Sequence, residues 1–300
     1  MIIVRLEGGL GNQMFQYALG RHLSIINKTE LKFDLSSYEE KLFNNGAKCR
    51  GYNLDIFDLN IKIASADEIQ KVKASEIPFF ETLKYKFQRL KTIPYFRKTE
   101  LFESKLFFFD SNILKAGKNS YLTGYWQSPK YFDSIRKNLL EDFKFKELPS
   151  KKDYDFIDAI IKQESVSIHI RRGDYVTNPE TYKLHGVCTI DYYKQAIEHI
   201  CKNVENPFFY IFSDDIDWAK ENIKPEENVT YVKGTPSDKD YFEMHLMSLC
   251  KHNIIANSSF SWWAAWLNSN SQKIIIAPQK WMNMPDLNVN DLLPEIWKKI

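Results

Sequence analysis

The stretch NIIANSSFSWWAAWL, residues 253–267, reads as a short apolar strand, a pair of serines, and a helix rich in Trp and Ala. An earlier stretch, SIHIRRGDY at 167–175, answers it. From Val166 on, Val166, Ile168 and Ile170 alternate with Ser167, His169 and Arg171. That period of two places His169 and Arg171 on one face of a strand and Arg172 on the other. Further β-rich runs, FFYIFS (208–213), VTYV (229–232) and KIIIA (273–277), alternate with helical patterns, of which 190–203 and 238–250 are the strongest. The second of these opens on Ser237 with Asp240 three residues on, close to a capping box. Strands alternating with helices predict βαβ units and a parallel, doubly wound sheet, whose ligands bind beyond the carboxyl ends of the strands.

The first half begins as another α/β unit, with a strand over 2–6, a glycine turn, a helix over about 12–26 and a strand at 31–34. YLTGYWQS at 121–128 reads as strand then turn, and Pro129 can start a helix over 129–143. The stretch 60–118 is expected to hold helices with long connections. Pro149, Ser150 and a lysine pair mark a linker near 146–153, giving two domains, 1–150 and 151–300.

Composition narrows the class. The chain has 300 residues, 44% hydrophobic and 15% aromatic, enough for a substantial core, and its net charge of +2 makes no electrostatic case for nucleic acid. Cys49, Cys188, Cys201 and Cys250 are scattered without metal-ligand spacing and read as reduced core thiols. The N-terminus MIIVRLEGG lacks the basic segment and long apolar run of a signal peptide, and no apolar run reaches a membrane-spanning length of about 18 residues. A cytoplasmic protein is expected. The segment 84–98, KYKFQRLKTIPYFRK, mixes cations with aromatic rings and contains no acid, so it reads either as a solvated helix face or as a peripheral contact with an anionic membrane.

Four blocks carry chemistry. In HIRRGD, a planar guanidinium at Arg171 can hold a diphosphate through paired charge-assisted bonds, Gly173 allows a tight turn, and Asp174 can fix an arginine or act as a base; a structural Arg–Asp pair fits the same spacing. In NSSFSWW, free N–H groups at a helix start favour an anion, with the hydroxyls of Ser258 and Ser259 adding donors; ordinary serine capping is the plainer reading. Trp262, Trp263 and Trp266 read as core. FSDD at 212–215 ends another strand, where an acid can accept from a ribose or a guanine edge, and Asp215-Ile216-Asp217 spells a D-x-D that either holds a metal or simply starts a helix; we favour no metal. EGGLGNQMFQYALG at 7–20 sets Gly8, Gly9 and Gly11 between strand and helix, but the third glycine of a dinucleotide fingerprint would fall at Met14, which argues against a dehydrogenase.

Taken in order from about residue 3 to 281, LEGGLGNQMFQYALGRHL, HIRRGDY, FSDD and NSSFSWWAAWL resemble the motifs of glycosyltransferase family 11, the α-1,2-fucosyltransferases, in bacterial form. HIRRGDY alone points to a wider superfamily that includes α-1,6- and protein O-fucosyltransferases; GGLGNQMFQYA narrows it. The resemblance implies an α/β fold of GT-B type, two Rossmann-like domains facing a central cleft, with the last helix free to pack back on the first domain. It implies GDP-β-L-fucose as donor, held by the second domain, and inverting transfer to the 2-hydroxyl of a galactose-terminated glycan without cofactor or metal. Arg171 would bind the β-phosphate and Arg172 assist, His169 and Asp214 would face the guanosine, and Ser258, Ser259 and the N–H of Phe260 would complete the phosphate site. Gly9, Gly11 and Asn12 would line the opposite wall. Asp174 is the first choice of base. In the α-1,6 enzymes a glutamate ten residues after the motif histidine serves; here that place is Pro179, with Glu180 next, and Glu7 is a third candidate.

Overall fold

A computed structural model describes residues 1–38, 51–74, 99–146, 151–226, 228–232, 240–284 and 287–300. The basic segment 84–98, Cys49, the linker residues 147–150 and Ser237 lie outside the described residues. The chain divides into two compact units, Met1–Lys144 and Phe145–Ile300.

In the first unit, β1 (Ile2–Arg5), β2 (Leu31–Asp34), β3 (Glu100–Phe102) and β4 (Ser120–Thr123) form a parallel sheet in the order β2-β1-β4-β3. Strand β1 is central, and Ile2, Ile3 and Val4 are fully buried. Helix α1 (Leu10–Asn27) follows it and buries Met14, Phe15, Ala18, Leu19 and Leu23. From Leu10 to Ser24 it is buried on nearly every face, Gln13 and Gln16 included, as a helix covered on all sides is. Two expectations need correcting here. Within 60–118 the described residues hold helix α2 (Ala66–Ala74) but also strand β3. The single helix expected over 129–143 is instead two short 3-10 turns, Pro129–Tyr131 and Asp133–Ile135, followed by α3 (Arg136–Asp142). The break falls at Phe132, whose backbone (φ −146°, ψ 5°) leaves the helical region while its ring is buried beside Phe15, centroids 5.9 Å apart. Burial of the ring outweighs continuation of the helix.

The second unit begins with α4 (Lys151–Lys162) and β5 (Ser165–Ile170), continues through α5 (Gly173–Thr177), α6 (Pro179–His185), α7 (Ile190–Asn203), β6 (Phe208–Ser213), α8 (Ile216–Asn222), β7 (Val229–Tyr231) and α9 (Asp240–Leu249), and closes with β8 (His252–Ile254), α10 (Ser259–Leu267), β9 (Ile275–Ala277) and β10 (Lys298–Lys299). The six strands are parallel in the order β10-β9-β8-β5-β6-β7. The chain therefore winds one way from β5 to β7 and the other way from β8 to β10, with the reversal between β5 and β8. All six residues of β5 are buried, because a central parallel strand has both faces covered. Its two-residue alternation thus separates two buried faces rather than core from solvent. The described residues contain no final helix to pack elsewhere: the chain ends in β10, paired with β9. The tryptophans of α10 are core, with Trp262 and Trp263 fully buried and the Trp262 indole N–H donating to the Leu292 carbonyl at 2.9 Å. The chain thus has the two Rossmann-like domains of the GT-B class.

Candidate active site

The ligand-binding place of a doubly wound sheet is the carboxyl edge where strand order reverses. In the second unit that edge gathers three of the four blocks, because β8, β5 and β6 are neighbours and end in NSSF, RRGD and SDD. Pairing of Ile170 with Ser213 and of Ile168 with Ile254 sets their ends level.

Arg171 is the first residue past β5. Its Nη2 donates to Asp174 Oδ1 at 2.6 Å and its Nη1 lies 2.9 Å from Asp214 Oδ2. Burial works against the guanidinium charge, yet Asp214 and Asp174 outweigh it and raise the pKa above its ordinary value. The group stays cationic at any working pH. Arg172 turns the other way: its Nε donates to Asp215 Oδ2 at 3.0 Å and its guanidinium carbon sits 3.9 Å from the centre of the Trp218 ring, a cation–π contact. Its backbone N–H donates to Asp214 Oδ1 at 2.8 Å. Both Asp214 oxygens are therefore engaged by the arginine pair. Gly173 is needed for this packing, since a Cβ there would stand 2.6 Å from Asp214 Oδ2.

The D-x-D pair does separate work. Asp215 caps α8 by accepting from the Trp218 N–H at 3.3 Å while holding Arg172, and Asp217 is exposed beside Lys220. Among the described residues, no group of three or more His, Cys, Asp and Glu is placed to hold a metal ion.

His169, the penultimate residue of β5, is buried, and its ring faces that of Phe260 at 5.8 Å across the reversal point. Burial, helped by the Arg171 charge, lowers its pKa to about 3, so the imidazole is neutral. Its Nδ1 is buried with no hydrogen-bond partner among the described residues. A buried polar atom left so is costly unless a ligand or water meets it. Ser258 is the N-cap of α10, accepting from the Phe260 N–H at 3.3 Å, so that this N–H is already used within the helix start. Ser258, Ser259 and Phe260 are all partly exposed.

Two further residues tie the blocks together. Tyr175 stacks on His185 (4.7 Å, 12°), and its hydroxyl lies 3.5 Å from the Asn257 carbonyl. The Asn257 amide donates to the carbonyls of His185 and Trp281, each at 3.0 Å. Tyr175 stands four residues after Arg171, and that spacing was its signal in the sequence. In the first unit, Gly9 is the N-cap of α1 with an ordinary extended backbone and Gly11 lies within the helix, whereas the left-handed glycine is Gly8 at φ 80°. Asn12 accepts from Gln127 Nε2 at 2.7 Å.

Two consecutive parallel α/β units, the second carrying an arginine, a neutral histidine and a helix N-terminus at its reversal point, have the architecture of a GT-B glycosyltransferase. The sequence matches glycosyl transferase family 11 over residues 1–299, and the chain belongs to that family. It is 36% identical to an alpha-1,2-colitosyltransferase of Escherichia coli, covering 100% of this chain and 99% of that one. It is likewise 36% identical to the O-antigen biosynthesis glycosyltransferase WbnK of Escherichia coli, over 92% of this chain and 93% of that one. The crystal structure of the fucosyltransferase NodZ from Bradyrhizobium aligns at 10% identity with a TM-score of 0.42, over 88% of this chain and 91% of that one. Among the described residues, no helix is long and apolar enough to cross a membrane.

Proposed function

We propose that the chain transfers L-fucose from GDP-β-L-fucose, with inversion, to a glycan hydroxyl, and that this hydroxyl is the 2-hydroxyl of a terminal galactose. The observation that carries the reading is that cationic Arg171 follows β5 and the start of α10 follows its neighbour β8 at the reversal point of the second sheet, with the neutral His169 ring 5.8 Å from that of Phe260. The acceptor oxygen attacks C1 as the bond from C1 to the phosphate oxygen breaks, and the electron pair leaves on the β-phosphate of GDP. Arg171 and the helix start stabilise that charge, the role a metal plays elsewhere. The acceptor proton goes to a carboxylate. Asp174 is the candidate nearest Arg171, and its ion pair equally suits it to hold the guanidinium in place. Asp174→Asn separates the roles: a base loses turnover with GDP affinity intact, whereas a positioning group loses both.

A second reading rests on the 36% identical colitosyltransferase. Colitose is fucose without its 3-hydroxyl, so the same clamp fits either GDP donor, and the linkage then depends on the acceptor side. The test is incubation of purified protein with GDP-fucose, or GDP-colitose, and lactose, with and without EDTA, following GDP release and product linkage. EDTA-insensitive 2′-fucosyllactose is the expected product. A different linkage, or turnover only with GDP-colitose, replaces the first reading with the second. Tight GDP binding without release from either donor rejects the transferase reading of this site.

A further inference from the structure

Asn257 opens the block NSSF, yet the donor chemistry makes no use of its side chain. It lies between β8 and Ser258, the N-cap of α10, and only 3% of it is exposed. Its amide nitrogen donates to the His185 carbonyl, at the end of α6, and to the Trp281 carbonyl, each at 3.0 Å. Its amide oxygen accepts from the Cys188 thiol, with Sγ 3.6 Å from Oδ1. Burial pushes that thiol up to about 12, so it stays protonated and keeps its hydrogen to donate. Donor and acceptor ends of the amide are thus both occupied, and only one orientation of the side chain satisfies them. A buried polar group so satisfied stiffens whatever it joins.

The helices it joins are anchored very differently. Helix α10 is core, with Ser261, Trp262, Trp263, Ala264, Ala265 and Trp266 buried. Neither α5 nor α6 has a buried residue, so apolar packing does little to fix them. Polar ties at the far end of α6 do that work instead. The Asn283 N–H donates to the Leu184 carbonyl at 2.9 Å, its side-chain amide to the Tyr182 carbonyl at 3.1 Å, and Asn257 takes the next carbonyl along. Helix α5 in turn carries Asp174 and Tyr175, both of which touch Arg171: the guanidinium carbon lies 5.6 Å from the centre of the Tyr175 ring. That ring stacks on His185, whose carbonyl Asn257 holds. The Tyr175 hydroxyl, 3.5 Å from the Asn257 carbonyl, is at the limit of a hydrogen bond and adds little.

We propose that Asn257 and Tyr175 are positioning residues that hold Arg171 in register with the start of α10, Asn257 by fastening the unburied α5–α6 pair to a helix anchored in the core. The proposal rests on the reading of this edge as the diphosphate site, but neither residue has to touch the donor. Asparagine suits the place because aspartate would lose both donors and serine would keep only one.

Calorimetric titration with GDP tests it, because affinity and stoichiometry are read together. Asn257→Ala and Asn257→Asp are expected to raise the GDP Kd about tenfold, the size of one lost hydrogen bond, with about one GDP still bound per chain. Tyr175→Leu removes the ring stack and is expected to raise Kd about fivefold, whereas Tyr175→Phe keeps the stack and stays within about twofold of wild type. Because the two residues act through one connection, the Asn257→Ala/Tyr175→Leu double variant is expected to lie within about twofold of Asn257→Ala alone. Losses that multiply in the double variant overturn the shared connection. So does a lower stoichiometry at the wild-type Kd, which is what a merely structural residue would give. If the Asn257 variants fail to fold, Tyr175→Leu against Tyr175→Phe decides, and equal Kd values in the two overturn the proposal. Wild-type protein that binds no GDP rejects the donor reading and this one together, whereas variants that bind GDP as the wild type does reject this one alone.

Discussion

The two sheets are both parallel but differ in strand order and in the chemistry at their carboxyl edges. The second unit puts two arginines, a neutral histidine and a helix start there; the first puts Glu7, Asn12, Glu103 and Gln127. The second edge pairs its cations with carboxylates, whereas the first carries amides and carboxylates. In both units the residues just past the strand ends, rather than the strands, carry the polar side chains that set this chemistry. The supporting residues differ as well. In the second unit carboxylates restrain cations, so Arg171 is held in place before any ligand arrives. In the first, the Glu103 carboxylate restrains the backbone N–H groups of Tyr125 and Trp126, so what it fixes is the path of the chain.

The largest effect expected from breaking this contrast comes from Arg171→Ala. Loss of a group that stabilises the leaving charge typically costs about 100- to 1000-fold in turnover, and steady-state GDP release measures it. Arg171→Lys is expected to recover little, since a single ammonium cannot span Asp174, Asp214 and a phosphate as a planar fork does. Retained turnover in either variant would remove the cationic edge from the mechanism. Gly173→Ala comes next. Its new Cβ, 2.6 Å from Asp214 Oδ2, must move that carboxylate and with it both arginine contacts. Misplacement by about an ångström costs up to roughly 100-fold, so kcat and GDP affinity fall together while the melting temperature changes little. Gly8→Ala sharpens the other side. At φ 80° and with a Cβ 2.5 Å from Asn12 Nδ2, it is expected to destabilise by about 1–2 kcal/mol. Thermal denaturation measures it, and an unchanged melting temperature would show that the turn accepts a side chain.

Much of the second unit was legible because its signals are local. Helix α7 spans Ile190–Asn203, the range its periodicity marks, with Thr189 capping it through the Tyr192 N–H at 3.1 Å. The strands preceding RRGD, SDD and NSSF announce themselves as β-branched or aromatic runs, and the sheet brings them side by side. What stayed hidden depends on distant partners. Nothing local in FSDD says that Asp214 will be taken by residues more than forty positions earlier. Strand β3 has three residues and one neighbour, too short to show a period. The role of Glu103 and the left-handed backbone of Trp126 are invisible for the same reason, since each is imposed by the other across the fold. Phe132 broke an otherwise good helical pattern because the core, not the local chain, sets its place.

The smallest effect concerns acid, to which the two units should respond with opposite sign. In the second unit burial holds His169 down to about 3 and His245 to about 4, and lowers His252 despite the nearby Glu164. The unfolded chain therefore binds more protons than the folded unit between the ordinary histidine value of 6.5 and those lowered values. Stability from these groups is complete above about pH 6.5 and drains away as pH falls through that window. For Glu103 the folded value is raised, so its buried charge costs stability at neutral pH and the cost is relieved by protonation. Hydrogen exchange followed by mass spectrometry between pH 7 and pH 4.5, corrected for the intrinsic rate, reads each unit separately. Protection is expected to fall first in β5, β6 and α9, and a His245→Leu variant should flatten that fall, because His245 packs against the Phe145 ring at 4.7 Å and has no charge to lose there. If the strands of the first unit open first instead, buried histidine is not what limits this fold in acid, and the contrast between the two edges is one of ligand chemistry alone.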